Sequence, residues 1–227
     1  MTGEDDVNKG HFNRGMVFCN GEFSPEDVPG LTEADLVVCA DGGLAHAMAV
    51  GIRPHVVLGD FDSLGNTYRE LLDKQSKIIE VINYPVEKDK TDGQLAVEYA
   101  LNAGVKEIWM FGALGGRLDH SLGNLFLAYL CVDHGVQLKI VGHKQLVSML
   151  QGPDTAQICG KPGDYVSLIP LSPTVVGVTT SGLYYPLQQS TLGRGDTRGL
   201  SNELITEMGT VSLQEGSLLL IQTRQEG

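Results

Sequence analysis

His55-Val56-Val57-Leu58-Gly59-Asp60-Phe61-Asp62-Ser63 passes from an apolar run directly into a glycine and two aspartates. The apolar part is short and rich in β-branched residues, and it does not alternate. That suits a strand of a parallel sheet covered on both faces. In an open α/β sheet the ligand crevice lies beyond the carboxyl ends of the strands. Two carboxylates at i and i+2 there can converge on one hard cation. Mg²⁺ takes oxygen ligands and keeps waters and substrate phosphates in its shell. The same segment also reads as a turn whose aspartates cap a helix or face water.

Outward from it, the same pattern repeats. MVFCN (16–20), DLVVCA (35–40), HVVLGD (55–60), KIIEVI (77–82), EIWMFG (107–112) and QLKIVG (137–142) read as strands. Thr91 to Ala103 reads as a helix, because Thr91 and Gln94 have capping-box spacing and Gly104 supplies the stop. Leu118 to His134 reads as another, with Leu122, Leu125, Phe126 and Tyr129 on one apolar stripe. Alternating strands and helices predict a doubly wound, mainly parallel α/β domain over residues 16–144. Residues 145–227 change character. QLVSMLQ, TAQICG, YVSLIPL, TVVGVTT, GLYYPLQ, GTVSLQ and SLLLIQT are short, β-rich and separated by turn residues. They predict an all-β sandwich. Residues 1–15 are polar and acidic and read as a flexible N-terminal extension rather than a signal peptide.

The composition narrows the function. The 227 residues are 42% hydrophobic and 19% charged, enough to build a core. The formal net charge of −12 disfavours nucleic-acid binding, which needs clustered cations. No apolar run is long enough to span a membrane, so no membrane association is expected. Cys19, Cys39, Cys131 and Cys159 form no CxxC pair and read as buried reduced thiols, which places the chain in the cytoplasm.

Further acidic positions strengthen the crevice. Asp41 follows the strand 35–40 and precedes Gly42-Gly43. Asp89 and Asp92 follow the strand 77–82, in Glu87-Lys88-Asp89-Lys90-Thr91-Asp92. If the sheet is parallel, these turns open at one edge. Crowded carboxylates then call for cations, in part Lys88 and Lys90 and in part a metal ion. Asp92 alone also serves as a helix N-terminal charge. A second constellation is Gly112-Ala113-Leu114-Gly115-Gly116-Arg117-Leu118-Asp119-His120. Its glycines let a phosphate approach the backbone, helix-start amides point at it, and Arg117 offers a planar cationic fork. It also reads as an ordinary strand–helix connection with Arg117 paired to Asp119. The spacing fits neither a Rossmann nor a Walker loop. Asn124 lies one helical turn beyond His120. The histidines show no zinc spacing and no serine sits in a GxSxG elbow. In the β-rich half, Ser181–Leu187 with Tyr184 and Tyr185, and Thr197–Glu203 with Ser201 and Asn202, stand out. The tyrosines offer a flat aromatic face or simple packing.

Taken in order, Asp41-Gly42-Gly43, Gly59-Asp60-Phe61-Asp62-Ser63, Asp89-Lys90-Thr91-Asp92, Gly115-Gly116-Arg117-Leu118-Asp119-His120 with Asn124, and Ser201-Asn202-Glu203 resemble thiamin pyrophosphokinase motifs. The resemblance covers roughly residues 36–205. It implies transfer of a diphosphate group from ATP to the hydroxyl of thiamine, giving AMP and thiamine diphosphate. It implies Mg²⁺ held by Asp60, Asp62 and Asp92, with Arg117 as a fourth catalytic group. It implies ATP and phosphate binding by Asp41, Gly42, Lys88, Asp89, Thr91, Gly115, Gly116, Arg117, Asp119, His120 and Asn124. Tyr185, Ser201 and Asn202 would bind thiamine, Tyr185 standing where eukaryotic relatives carry a tryptophan. The family works as a homodimer with active sites between subunits. A Mg-dependent nucleotide hydrolase and a non-catalytic thiamine diphosphate sensor are the competing readings. The first leaves Tyr185 and Ser201-Asn202 without a task. The second has no need of intact Asp60, Asp62, Asp92 and Arg117.

Overall fold

The computed structural model describes residues 12–61, 65, 70, 72 and 78–225. Asp62, Ser63 and most of the 1–15 extension lie outside the described residues. The chain divides into two compact units, Met1–Gly142 and His143–Gly227.

The first unit carries β1 (Arg14–Phe18), β2 (Asp35–Ala40), α1 (Gly43–Ala49), β3 (Val56–Gly59), β4 (Glu80–Asn83), α2 (Asp92–Asn102), β5 (Glu107–Phe111), α3 (Leu118–Asp133) and β6 (Gln137–Gly142). The strands lie in the order β4-β3-β2-β1-β5-β6, all parallel. Every residue of β2 and β3 is buried, so both faces of the sheet centre are covered. Such strands read as unbroken apolar runs because neither face meets water. The chain builds outward from β1 to β4, then returns to the other side of β1 with β5. The strand order therefore reverses between β1 and β5, where open α/β sheets form their crevice. Parallel pairing sends the carboxyl ends of all these strands to one edge.

Two expectations need correction here. The strand expected at 77–82 is β4 at Glu80–Asn83, an edge strand with most of its residues exposed. An edge strand has one neighbour and less cover, and its apolar residues do not reach the core. The apolar stripe of α3 also faces outward in part, with Leu122 45% and Phe126 55% exposed. The helix instead buries Ser121, Ala128 and Cys131.

The second unit carries β7 (Gln145–Gln151), β8 (Asp154–Cys159), β9 (Tyr165–Pro170), β10 (Thr174–Ser181), β11 (Ser190–Gly193), β12 (Asn202–Glu203), β13 (Met208–Leu213) and β14 (Ser217–Thr223). Here pairing is antiparallel, in the orders β12-β9-β14-β7 and β11-β10-β13-β8. β9 and β13 alternate buried and less buried residues, as strands with one core face do. Their inward side chains share one core. Val166, Leu168 and Leu218 come from one set of strands, and Val175, Val178 and Val211 from the other. The segment 182–188, expected as a strand, is a loop that carries one β-bridge, from Leu183 to Leu204.

Candidate active site

At the carboxyl edge of the parallel sheet, Asp41 follows β2 and Asp60 follows β3. Asp41 takes a left-handed backbone (φ 45°) and its N–H donates to Leu58 O at 2.8 Å, which ties the two strand ends together. A non-glycine residue in that region is uncommon, and it turns the chain sharply into Gly42 and α1. Gly59 comes close beneath it, since a Cβ there would lie 3.1 Å from Asp41 Cβ. Thr91 caps α2 by accepting from Gln94 N–H at 3.2 Å, which sets Asp92 in the first turn. Lys88 Nζ then stands 3.2 Å from Asp60 Oδ2 and 3.0 Å from Asp92 Oδ1.

Burial pushes the Asp92 carboxyl above its ordinary range; Lys88 opposes this, while the charges of Asp60 and Asp41 add to it. Burial also works against the Lys88 charge, but Asp92 and Asp60 outweigh it and hold the ammonium protonated. Three carboxylates thus sense one another across a crevice with one ammonium among them. Lys90, expected to share that task, instead pairs with Glu98 at 2.7 Å. Asp89 is exposed. Among the described residues no group of three His, Cys, Asp or Glu side chains is set to hold a metal ion. Asp62, expected as a third ligand, lies outside them. The donor set still fits a divalent cation of the Mg²⁺ type. Such a cation needs only one or two carboxylates plus substrate phosphates, and Asp60 and Asp92 already share one cationic neighbour.

The second constellation lies at the reversal point. Here the segments after β1 and β5 run together. Cys19 N–H donates to Phe111 O (2.8 Å), Gly21 N–H to Gly112 O (2.7 Å) and Glu22 N–H to Leu114 O (2.9 Å). Gly112 (φ 61°) is required, since a Cβ there would fall 2.2 Å from Cys19 O. Three residues given no site role by the sequence sit in this seam. The Asn20 side chain presses on Gly42, the Glu22 carboxylate on Gly115, and His46 Nε2 lies 3.0 Å from Gly21 O. The signal for Asn20 and Glu22 was Asn20-Gly21-Glu22, polar residues and a glycine directly after an apolar strand; His46, inside α1, had none.

Beyond the seam, Gly116, Arg117, Asp119 and His120 are exposed at the entry to α3. Arg117 pairs with Asp119 at 2.6 Å, the pairing that the sequence left open. Asn124 Nδ2 donates to Ala113 O at 2.8 Å and so fastens α3 to the glycine-rich turn. Its Oδ1 lies 3.1 Å from where a Cβ of Gly93 would stand, so it also borders the start of α2. Asp41, Asp60, Lys88 and Asp92 are therefore gathered tightly. Gly115, Asn124 and Gly42 line the seam, while Arg117, Asp119 and His120 form an open rim.

In the second unit, the two singled-out segments form one corner. Tyr184 N–H donates to Glu203 O (2.9 Å) and Ile205 N–H to Gly182 O (3.0 Å). Tyr184 and Tyr185 are 61% and 65% exposed, with rings edge-on at 4.8 Å and 83°. Leu183 and Leu187 on either side are buried and anchor the loop. Ser201 is exposed with a left-handed backbone (φ 54°), and its N–H donates to Ser167 Oγ at 3.0 Å. Asn202 is only 7% exposed.

Comparison with known proteins decides the family. The model for the thiamin pyrophosphokinase catalytic domain matches residues 30–140, and that for the thiamin pyrophosphokinase vitamin B1 binding domain matches 155–218. Thiamine pyrophosphokinase of Bacillus subtilis is 33% identical over 198 residues, covering 87% of this chain and 92% of the relative. The chain belongs to the thiamin pyrophosphokinase family. A crystal structure of thiamine pyrophosphokinase from Bacillus subtilis matches with a TM-score of 0.84 at 30% identity, covering 94% of this chain and 100% of that one. One from Geobacillus thermodenitrificans matches with a TM-score of 0.79 at 33% identity, covering 95% and 99%.

Among the described residues no helix is long and apolar enough to cross a membrane. The four cysteines are free, and Cys159 is exposed where a buried thiol was expected. It ends β8 on the outward side of the alternation, so its side chain misses the core.

Proposed function

We propose that this chain is a thiamine pyrophosphokinase, transferring the diphosphate group of ATP to the hydroxyl of thiamine. Membership of the thiamin pyrophosphokinase family through both of its domain models carries the reading. The hydrolase reading leaves the vitamin B1 binding match without a task.

The residues divide the work. Asp60, Asp62 and Asp92 hold a divalent cation, Mg²⁺ in this proposal, with Asp41 completing the acidic crevice. When bound, that cation offsets charge on the phosphate oxygens. Lys88 balances Asp60 and Asp92 and faces the phosphates with Asp89 and Thr91. Gly42, Gly115 and Gly116 allow close approach of the nucleotide. Arg117, Asp119, His120 and Asn124 engage the nucleotide and its phosphates from the start of α3. Tyr185, Ser201 and Asn202 form the thiamine corner. The thiamine hydroxyl oxygen bonds to the β-phosphorus as the bond from that phosphorus to the α-phosphate oxygen breaks. AMP leaves with the electron pair, and a crevice aspartate takes the hydroxyl proton. The protein contributes position and charge.

We further propose a homodimer with an active site in each cleft between subunits. Leu118, Leu122 and Phe126 support it, a stripe exposed by 73%, 45% and 55% on α3. The stripe starts beside Arg117, so a partner covering it would border the phosphate loop. A doubly wound α/β domain followed by a β-sandwich is the architecture this reading uses. The free cysteines fit a reducing cytoplasm. Incubation with ATP, a divalent cation and thiamine, followed by chromatography, tests the activity. Thiamine diphosphate and AMP in equal amounts are expected; nucleotide breakdown at the same rate without thiamine would overturn it.

A further inference from the structure

Asn202 sits where a ligand-reading side chain is expected, yet its amide oxygen and one of its two N–H donors are already engaged within the corner. Tyr185 N–H donates to Asn202 Oδ1 at 2.9 Å, and Asn202 Nδ2 donates to Tyr185 O at 2.7 Å. Oδ1 also accepts from Glu203 N–H at 2.9 Å. The side chain is almost wholly buried. An amide has two donors and one two-lone-pair acceptor, so both Oδ1 lone pairs and one N–H are used within the corner. Both backbone groups of Tyr185, seventeen residues away, are held by this one side chain.

We infer that Asn202 is a positioning residue for thiamine, acting through Tyr185 rather than by touching the substrate; this rests on the function proposed above. Tyr185 lies in a loop outside any strand, so no ladder fixes its φ and ψ. Leu183 and Leu187 pin the loop ends in the core, and Leu187 N–H donates to Thr180 Oγ1 at 2.8 Å. Between those anchors, Asn202 is the side chain that bonds both the N–H and the C=O of Tyr185. It sets the direction of an exposed aromatic ring that stands at right angles to Tyr184. A planar heteroaromatic cation gains from a ring held in place, because less freedom is lost on binding. Asn202 is itself held. It pairs with Val166 across β12 and β9, and the strained Ser201 before it is tied to Ser167.

A double-mutant cycle with steady-state kinetics tests this. Asn202→Ala is expected to raise KM for thiamine about tenfold, leaving KM for ATP within about twofold. Tyr185→Ala is expected to raise KM for thiamine as well. In the Tyr185→Ala background, Asn202→Ala then adds less than about twofold, since nothing remains to be aimed. Multiplicative effects of the two changes would show a direct contact and overturn the inference. So would equal rises in KM for both substrates, or no rise for thiamine. Where Asn202→Ala does not fold, Asn202→Asp carries the same cycle, because it keeps the acceptor for Tyr185 N–H and replaces the donor to Tyr185 O by an acceptor. Failure of both variants to fold makes Asn202 a folding residue and overturns the inference too. A wild-type chain that forms no AMP with thiamine fails at the function itself, which distinguishes that outcome from a misassigned Asn202.

Discussion

The Lys88 ammonium stands 3.0 Å from Asp92 Oδ1, one helical turn on in sequence, and it also reaches Asp60 Oδ2 at 3.2 Å from across the crevice. All three side chains are largely buried, so the ammonium is the charge that keeps two carboxylates together. Lys88→Met is expected to cost about 1–3 kcal/mol of stability without metal, because like charges are left facing each other. A divalent cation then restores more stability to the variant than it adds to the wild type. Thermal unfolding with and without Mg²⁺ checks this. Equal metal-induced shifts in both proteins would detach Lys88 from the cation site.

Arg117 and Asp119 pair at 2.6 Å on an exposed rim, where an ion pair contributes little to folding. Arg117→Ala is therefore expected to leave Tm unchanged and to lower kcat/KM for ATP about a hundredfold. Unfolding curves and initial rates on the same preparation separate the two effects. A fall in Tm with turnover intact would make the pair structural.

The acidic crevice shows what the sequence could tell. Asp60 was legible because it follows the buried apolar β3 directly, and parallel pairing brings strand ends to one edge; Asp92 reaches that edge by a loop after the exposed edge strand β4 and was legible from the Thr91 cap that starts α2. Which lysine enters the crevice was not legible. Lys88 precedes the Thr91 cap and turns in, whereas Lys90 lies alongside α2 and meets Glu98. The strands of the first unit were legible because both faces of β2 and β3 are covered. For α3, periodicity told which residues share a face, not what covers that face. Leu122 and Phe126 follow the helical repeat and remain exposed. The Asn202 partnership was illegible because it joins Tyr185 across a loop.

At the base of the sheet, Arg14 grips Asp35 with Nε at 2.8 Å and Nη2 at 2.7 Å, and Thr32 N–H adds a third bond. Burial alone would raise the Asp35 carboxyl; the guanidinium and the amide reverse that and hold it below its ordinary range. The unfolded chain therefore takes up this proton first as pH falls. The contribution is complete above about pH 5 and is lost as pH drops through about 4 toward the folded value. Asp35→Asn is expected to cost about 1–3 kcal/mol at neutral pH. The gap between variant and wild type should close in acid. Urea unfolding across that range checks it; a gap that widens as pH falls would reverse the sign.

The stripe on α3 bears on assembly. Phe126→Asp places a charge at the far end of it and is expected to turn a dimer into a monomer with little loss of secondary structure. Light scattering after size exclusion, with circular dichroism, reads both. A wild-type and a variant of equal mass in solution would move the dimer contact elsewhere.

Transfer of the diphosphate as a unit is the central claim, and ³¹P NMR of ATP, Mg²⁺ and the protein, with and without thiamine, tests it most directly. The account predicts AMP and a new diphosphate ester that form together and only when thiamine is present. ADP with inorganic phosphate, or AMP with free pyrophosphate in the absence of thiamine, would contradict it.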